Sequence, residues 1–498
     1  MKIGKLVRAT LGGSSQKKST KIEYEEPMQE PTQEQKDQVT ERLENIKKQT
    51  SEIDDIIFKK IATDEGVVTV IYSNSLVEKM TMQTMVFIPL TNYINQIHQV
   101  SDSIEDKDIQ GITTRVISGH TVLFFHNTFQ LLSIDTYSAP TRSITNTEVE
   151  STVIGPQDAF TESLETNISL VKRRIKSPML KNETFTIGTE TDTKISVVYM
   201  DGIVNKDNLE VLKDRIDKLD HPAYTDVTIL KQLIEDNPLS PFPQYYLTVR
   251  PDTVSGYLHD GRIVVFMENS SAVMICPVTF MEMFMSVEDY YNRWTTASLL
   301  RMLRFFGFFL TITITPLYVS ALTFHPEILP YELLLNLQES RAKVPFPPLF
   351  EVLFIELIIE VLREAGSRMP AKVGQTIGIV GGIVIGTAAV EAGLISNILV
   401  VLVATSALLS FLPPIFLVSN TSRFVRYIFI ISAGLFGLFG QMIAFTWLMV
   451  HLLRIDSLGK PYMSPVIPRK ATDLLNGIIR FPTKYLTKKS GISKSPKK

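Results

Sequence analysis

The sequence predicts a multidomain membrane protein. A soluble N-terminal α/β part, built as two small subdomains, precedes an all-α transmembrane bundle. Three observations predict this. Charged residues crowd the first 295 positions and the last 40, whereas 302–323 and 373–450 are largely free of charge. Strand and helix patterns alternate through 40–295, and only helix-length apolar runs follow. Those runs are long enough to cross ~30 Å of hydrocarbon. A chain of 498 residues has room for two or three domains.

Residues 1–39 are rich in Gly, Ser, Gln, Glu and Lys and poor in large apolar side chains, which predicts a disordered tail. Met1–Leu11 has Lys2, Lys5 and Arg8 but no apolar core, so no signal peptide is expected there and the soluble part is expected in the cytoplasm. A first subdomain is expected over 40–155. Leu43, Ile46, Ile53, Ile56 and Ile57 follow a helical period over 40–60. Val67–Tyr72 reads as a buried strand, and 121–126 with 130–135 as a hairpin across Asn127-Thr128. A second subdomain is expected over 156–295. It has helices at 163–175 and 208–219, a less regular one at 226–234, and strands at 195–200, 245–250, 262–267 and 272–276, with Asp260-Gly261 marking a turn.

The transmembrane domain is expected over 296–455, with four spans at 302–323, 373–392, 394–418 and 427–450. The segment 349–362 differs, because it is short and carries Glu351, Glu356 and Glu360. Its apolar residues favour insertion by about 4.5 kcal/mol, and each central carboxylate opposes it by about 2.5 kcal/mol. Such a helix does not cross lipid alone, and a re-entrant or interfacial position is expected. The tail over 456–498 is basic: Arg469–Lys498 holds nine Lys or Arg and no acid after Asp473, which places it in the cytoplasm. An even number of crossings follows. This arrangement leaves Arg363, Arg368, Lys372, Arg423 and Arg426 on the outer side, against the usual charge bias.

Glu356, Glu360 and Glu364 recur every four residues and share one helix face. They read either as a hydrated stripe lining a pore or as the polar side of an interfacial helix. Gly374, Gly378, Gly382 and Gly386 form a ladder that lets another helix approach to backbone distance, with packing as the expected role and a sliding gate as the rival. Pro316, preceded by Thr311, Thr313 and Thr315, and the pair Pro413-Pro414 are kinks or hinges. Gln441 is a candidate interhelical donor. Tyr290, Tyr291 and Trp294 suit an interfacial aromatic belt.

No catalytic motif is visible: no Gly-rich loop with Lys and Ser/Thr, no GxSxG, no HExxH. Seven histidines are scattered, and one cysteine, Cys276, allows neither an internal disulfide nor a multi-cysteine zinc site. Neither a cofactor nor a metal nor nucleic acid is expected, at a net charge of −2. A permease is the rival from another class, yet no inverted internal symmetry is visible. A membrane-tethered enzyme in 40–290 is a third reading without a motif to carry it.

Seven segments in order carry a family resemblance: Gly155-Pro156-Gln157-Asp158-Ala159-Phe160-Thr161-Glu162-Ser163 with Asn167; Asn237 through Gln244; Arg250-Pro251-Asp252; Gly261-Arg262; Glu288-Asp289-Tyr290-Tyr291; Gly366 through Pro370; and Gly374-Gln375 through Gly381-Gly382, Ile385-Gly386 and Ala388-Ala389-Val390. The sequence resembles the A-subunit of spore germinant receptors, the GerA family, over roughly 65–482. It departs from the family pattern at Ile154, Asp158, Val249 and Ser270-Ser271-Ala272. The resemblance implies a subunit of the inner spore membrane that assembles, as a homo-oligomer, with a B-type membrane subunit and a C-type lipoprotein. It further implies nutrient recognition through the B-type partner and a cation-conducting role in starting germination.

Overall fold

The computed structural model describes residues 43–369, 386–467 and 477–484 together with Gly382, apart from short gaps at 49, 51–52, 64–65, 93–96, 98–100, 104–108, 129, 138–149, 151 and 483. The expectations for residues 1–39, for most of 373–392 and for most of the basic tail, including Gly374 and Gly378, lie outside the described residues.

The first sheet comprises β1 (Ile56–Thr63), β2 (Gly66–Ser73), β3 (Asp102–Ser103), β4 (His120–Phe125) and β5 (Leu131–Asp135), in the order β1-β2-β4-β5-β3 and antiparallel throughout. The expected hairpin is β4–β5, with Thr121 opposite Ile134. One face packs Val68, Val70, Leu123 and Phe125 on Met82, Val86 and Leu90. The other packs Ile71 and Val122 on Ile46 and on Ile112 and Val116 of helix α1 (Ile109–Ile117). The helix expected over 40–60 is shorter: 43–48 is helical, and Ile56 onward is β1. A β-branched run that can pair along its whole length with β2 outweighs a marginal helical period.

The second sheet comprises β6 (Leu180–Ile187), β7 (Thr193–Met200), β8 (Tyr246–Thr248), β9 (Ile263–Met267) and β10 (Val273–Cys276), in the order β6-β7-β9-β10-β8. Helices α2 (Leu164–Arg174) and α5 (Pro251–His259) cover one face. Helices α3 (Lys206–Asp217) and α4 (Val227–Ile234) cover the other. Cover on both sides is why β9 reads as the unbroken apolar run IVVFM. Each of α2, α3 and α4 starts at a side-chain cap: Ser163, Asn205 and Asp226.

The helical part contains α6 (Trp294–Thr323), α7 (Tyr331–Arg341), α8 (Pro348–Ser367), α9 (Asn397–Leu409) and α10 (Phe416–Arg454). Two of these, α6 and α10, are long and apolar enough to cross a membrane. Pro316 lies inside α6, where Thr311 and Thr313 donate to the carbonyls of Gly307 and Phe309. Pro413 and Pro414 lie between α9 and α10, so the expected span 394–418 is a shorter helix ended by a proline turn.

The chain reverses within α10. Thr421 donates to the Pro241 carbonyl, and His451 bonds Ser240 at 2.9 Å. Those two helix positions are ~45 Å apart along a straight helix, yet both reach one loop. The reversal is at Gly437 (φ 63, ψ −140), a backbone region closed to residues with a Cβ. A Cβ there meets Phe324 and His325 at 2.8–2.9 Å. The expected single span 427–450 is therefore a hairpin of two helical arms, each near 17–21 residues or roughly 26–32 Å long.

Candidate functional site: a charged core in the helical bundle

Helix α8 brings four carboxylates into the bundle, and each meets arginine. Glu351 is fully buried. Its Oε2 accepts from Arg341 Nε at 3.0 Å and lies 3.4 Å from the Tyr318 hydroxyl, and its Oε1 accepts from the Ser396 backbone N–H at 2.7 Å. Ser396 in turn caps α9 and lies 3.0 Å from the Tyr318 hydroxyl. One carboxylate thus ties α6, α7, α8 and α9.

Glu356 pairs with Arg426 at 2.7 Å, and neither side chain has any exposed surface. Arg426 also donates to Ser406 Oγ at 2.8 Å, and Ser406 donates to the Thr311 carbonyl at 3.1 Å. Glu360 pairs with Arg423 and, at 3.4 Å, with Arg363, whose guanidinium lies over Phe411 at 4.7 Å. Glu364 is exposed and pairs with Arg368 at 2.6 Å. Burying an unpaired charge is prohibitive, so these pairings fix which helices can be neighbours.

The sequence stripe Glu356, Glu360, Glu364 is therefore graded: sealed at Glu356, part-exposed at Glu360, open at Glu364. Among the described residues, nothing beyond the local helix lies within 4 Å of a Cβ added at Gly382 or Gly386. Gln441 does act across helices, donating to Ser320 Oγ at 2.6 Å. Arg423 and Arg426 do not sit in an outer loop as the four-span arrangement had them; both lie within α10, partnered by α8.

In the soluble part, segments that are distant in sequence converge. Buried Arg250 donates to Asp252 and to the Pro156 carbonyl, and Tyr291 donates to Asp252 at 2.9 Å. Gly155 is at φ +120, and an added Cβ there meets the Tyr291 ring at 2.6 Å. Burial alone raises the Asp252 carboxyl, but hydrogen bonds from Arg250 and Tyr291 outweigh it and hold the group below its usual range. Asn167 closes the turn at Thr161 with bonds of 2.7 and 2.6 Å. Arg262 binds Glu282 at 2.6 Å. Burial pushes the Cys276 thiol up to about 12, so it is a core atom. No cluster of three metal-ligating side chains occurs among the described residues.

The family model described as Bacillus/Clostridium GerA spore germination protein matches residues 44–492. This chain belongs to the GerA family. It is 40% identical to Bacillus cereus spore germination protein GerQA over 450 residues, covering 89% of this chain and 90% of that protein. It is 34% identical to Bacillus subtilis spore germination protein KA over 459 residues, covering 89% and 84%. Among solved structures, the N-terminal domain of the A subunit of the Bacillus megaterium spore germinant receptor GerK3 is 26% identical, with a TM-score of 0.37, covering 48% of this chain and 95% of that one.

In this GerA-family chain, sequence reasoning missed Glu351 as a hub and Arg426 as the partner of Glu356. The signal for Arg426 was present: an arginine close to a long apolar run needs an acid, and α8 is the helix that offers one at matching depth. For Glu351 no sequence signal distinguishes it from its neighbours, because its partners Arg341 and Ser396 are set by loop geometry.

Proposed function

We propose that this chain is the A-subunit of a nutrient germinant receptor in the inner membrane of the spore. It assembles as a homo-oligomer with a B-type membrane subunit and a C-type lipoprotein, and conducts cations when a partner subunit binds nutrient, so triggering germination. Membership of the GerA family supports the germination role. The observation that carries the conducting role is the charged core. Ionisable groups at membrane depth are expensive and default to function, and here three carboxylates on one 20-residue helix are held by arginines from neighbouring elements.

In this reading the described state is closed. Glu356 is sealed by Arg426, and a path opens when α10 withdraws that arginine and Glu356 joins Glu360 and Glu364 along the pore. Pro316 and the Pro413-Pro414 turn serve as the hinges. The glycine ladder Gly374, Gly378, Gly382, Gly386 serves as a helix-packing surface. The soluble part and the tail share the cytoplasmic side. Ligand-driven opening requires that nutrient binding favour one of two states.

The test is reconstitution with the B- and C-type subunits and measurement of nutrient-gated ion flux. A Glu356→Gln/Glu360→Gln double variant should alter cation release per folded receptor, with the amount of folded protein measured alongside. Normal release and normal selectivity in that variant would sink the conducting role.

A further inference from the structure

The loop 237–243 of the soluble part, Asn-Pro-Leu-Ser-Pro-Phe-Pro, reaches the bundle at a depth that three helices define. Thr421 donates to the Pro241 carbonyl, His451 bonds Ser240 at 2.9 Å, and the Phe242 ring lies 6.4 Å from that of Phe308 on α6. The two arms of α10 meet at Gly437, where an added Cβ would touch Phe324 at the end of α6. From that level back to Thr421, His451 and Phe308 the helices rise about 24, 21 and 24 Å. All three distances fall short of the ~30 Å of a hydrocarbon layer.

The surface around the loop is apolar at the same level. Trp447, stacked on His451 at 5.4 Å, and Phe424, within a turn of Thr421, are both exposed. On α6 an exposed row of Leu299, Leu303, Phe306 and Leu310 crosses the level of Phe308. It extends about 14 Å beyond that level toward the soluble part. Lipid covering this row therefore reaches past the loop, whose tip, Leu239, is 99% exposed.

The chemistry of the loop suits that position. It has no charged side chain, and its three prolines lack a backbone donor. Of the four N–H groups that remain, Asn237 donates to Gln244 Oε1, Ser240 to the Asn237 carbonyl and Phe242 to Ser240 Oγ, at 2.8, 3.0 and 3.2 Å. The Asn237, Pro241 and Pro243 carbonyls accept from Gln244, Thr421 and Tyr462. Non-helical backbone is tolerated at a lipid boundary when its polar groups are bonded within the protein. The acids just before the loop, Glu235 and Asp236, are neutralised by Lys231 and Arg215.

We infer that the loop 237–243 is a membrane anchor of the soluble part, with Leu239 entering the acyl boundary of the leaflet on that side. The occupant is lipid, because exposed apolar side chains of α6 and α10 flank the loop at its own depth. An apolar side chain so placed is held by the same burial that seats interfacial segments. The anchor rests on the bundle spanning the membrane and not on the conducting role.

The experiment uses the full chain in phosphatidylcholine nanodiscs, one chain per disc, with an environment-sensitive maleimide on Leu239→Cys. Cys276 is buried and stays unlabelled in the folded protein. Met442→Cys, on the exposed face of α10, and Met80→Cys, exposed on the cover of the first sheet, serve as references. Doxyl-labelled phosphatidylcholine should quench the probe at 239 and at 442 several-fold more than at 80, and aqueous iodide should quench 80 several-fold more than 239. Quenching at 239 that matches 80 would put the loop in water and overturn the anchor. Protection of 239 from both quenchers would mean that protein covers it, and would equally overturn the lipid assignment. Loss of lipid quenching at 442 as well would overturn the membrane placement of the bundle, whereas loss at 239 alone overturns only the anchor.

Discussion

Replacing Arg426 by Met and Glu356 by Leu, singly and together, isolates the sealed pair of the bundle. Both side chains are without exposed surface and 2.7 Å apart, so solvent screening is negligible. Arg426→Met removes the nearest counter-charge of buried Glu356, which can shed its own charge by taking up a proton. Relative to an ordinary carboxyl value near 4.3, that uptake costs about 3.7 kcal/mol at pH 7. Glu356→Leu leaves a guanidinium that cannot lose its proton, and the expected loss is ~3–5 kcal/mol. The double variant replaces the pair by two apolar side chains and should lie within ~1 kcal/mol of the parent. The singles should differ in pH dependence. The native state of Arg426→Met holds one proton more than its unfolded state, so its deficit shrinks by about 1.4 kcal/mol per pH unit on acidification toward pH 5. The Glu356→Leu deficit stays flat. Sodium dodecyl sulfate titration in mixed micelles, followed by fluorescence of the two tryptophans, measures all four proteins. Additive single and double losses, or singles within ~1 kcal/mol of the parent, would refute the sealed pair.

Other expectations are narrower. Asp55 accepts from Lys172 and from Ser73 and Ser75, tying the first sheet to α2; Asp55→Ala should lose ~3 kcal/mol and appear as faster proteolysis between the two sheets. Gly437→Ala should abolish monodisperse protein on size exclusion, while Gly382→Ala, whose added Cβ meets no described residue beyond the local helix within 4 Å, should leave the folded chain intact. Cys276, with a thiol pushed up to about 12, should resist maleimide at pH 8 and label fully in denaturant. Asp252 is held below its usual range, so its contribution is present at neutral pH and lost as pH falls through that lowered value; Asp252→Asn should flatten the acid limb of a melting-temperature profile.

The soluble sheets were legible where local pattern and tertiary role agree. The hairpin of β4 and β5 and the run Val67–Tyr72 announce themselves because each strand is buried and its turn is polar. Residues 56–60 misled because isoleucines at helical spacing are also a β-branched run, and only the presence of β2 as a partner decides between them. In the bundle, apolar length located α6 well and α10 badly. Hydropathy reports that a segment is apolar, not that it turns back, and the reversal depends on one glycine among 39 residues of otherwise helical sequence. The acidic stripe was visible, but its electrostatic state was not. Glu356, Glu360 and Glu364 read as a polar face until the arginines of α10 are brought to the first two.

Bundle and soluble part are fastened at several points on one face, and the fastenings bear on coupling. Asp289 is buried and receives Arg301 and Arg304 from the first turns of α6, while Arg480 from the chain's end donates to the carbonyls of Asp289 and Asn292. The loop 237–243 holds both arms of α10 through Ser240 and Pro241. Just past α10, Ser457 donates to the Gln244 carbonyl and Tyr462 to the Pro243 carbonyl. A tilt of the second sheet therefore cannot be absorbed by a slack linker and must act on α10, whose first arm carries Arg423 and Arg426. The arginines that neutralise Glu356 and Glu360 are thus on the bundle helix most directly gripped by the soluble part. That arrangement gives movement there a short mechanical route to the charged core, with no need for a relay through the lipid-facing helices.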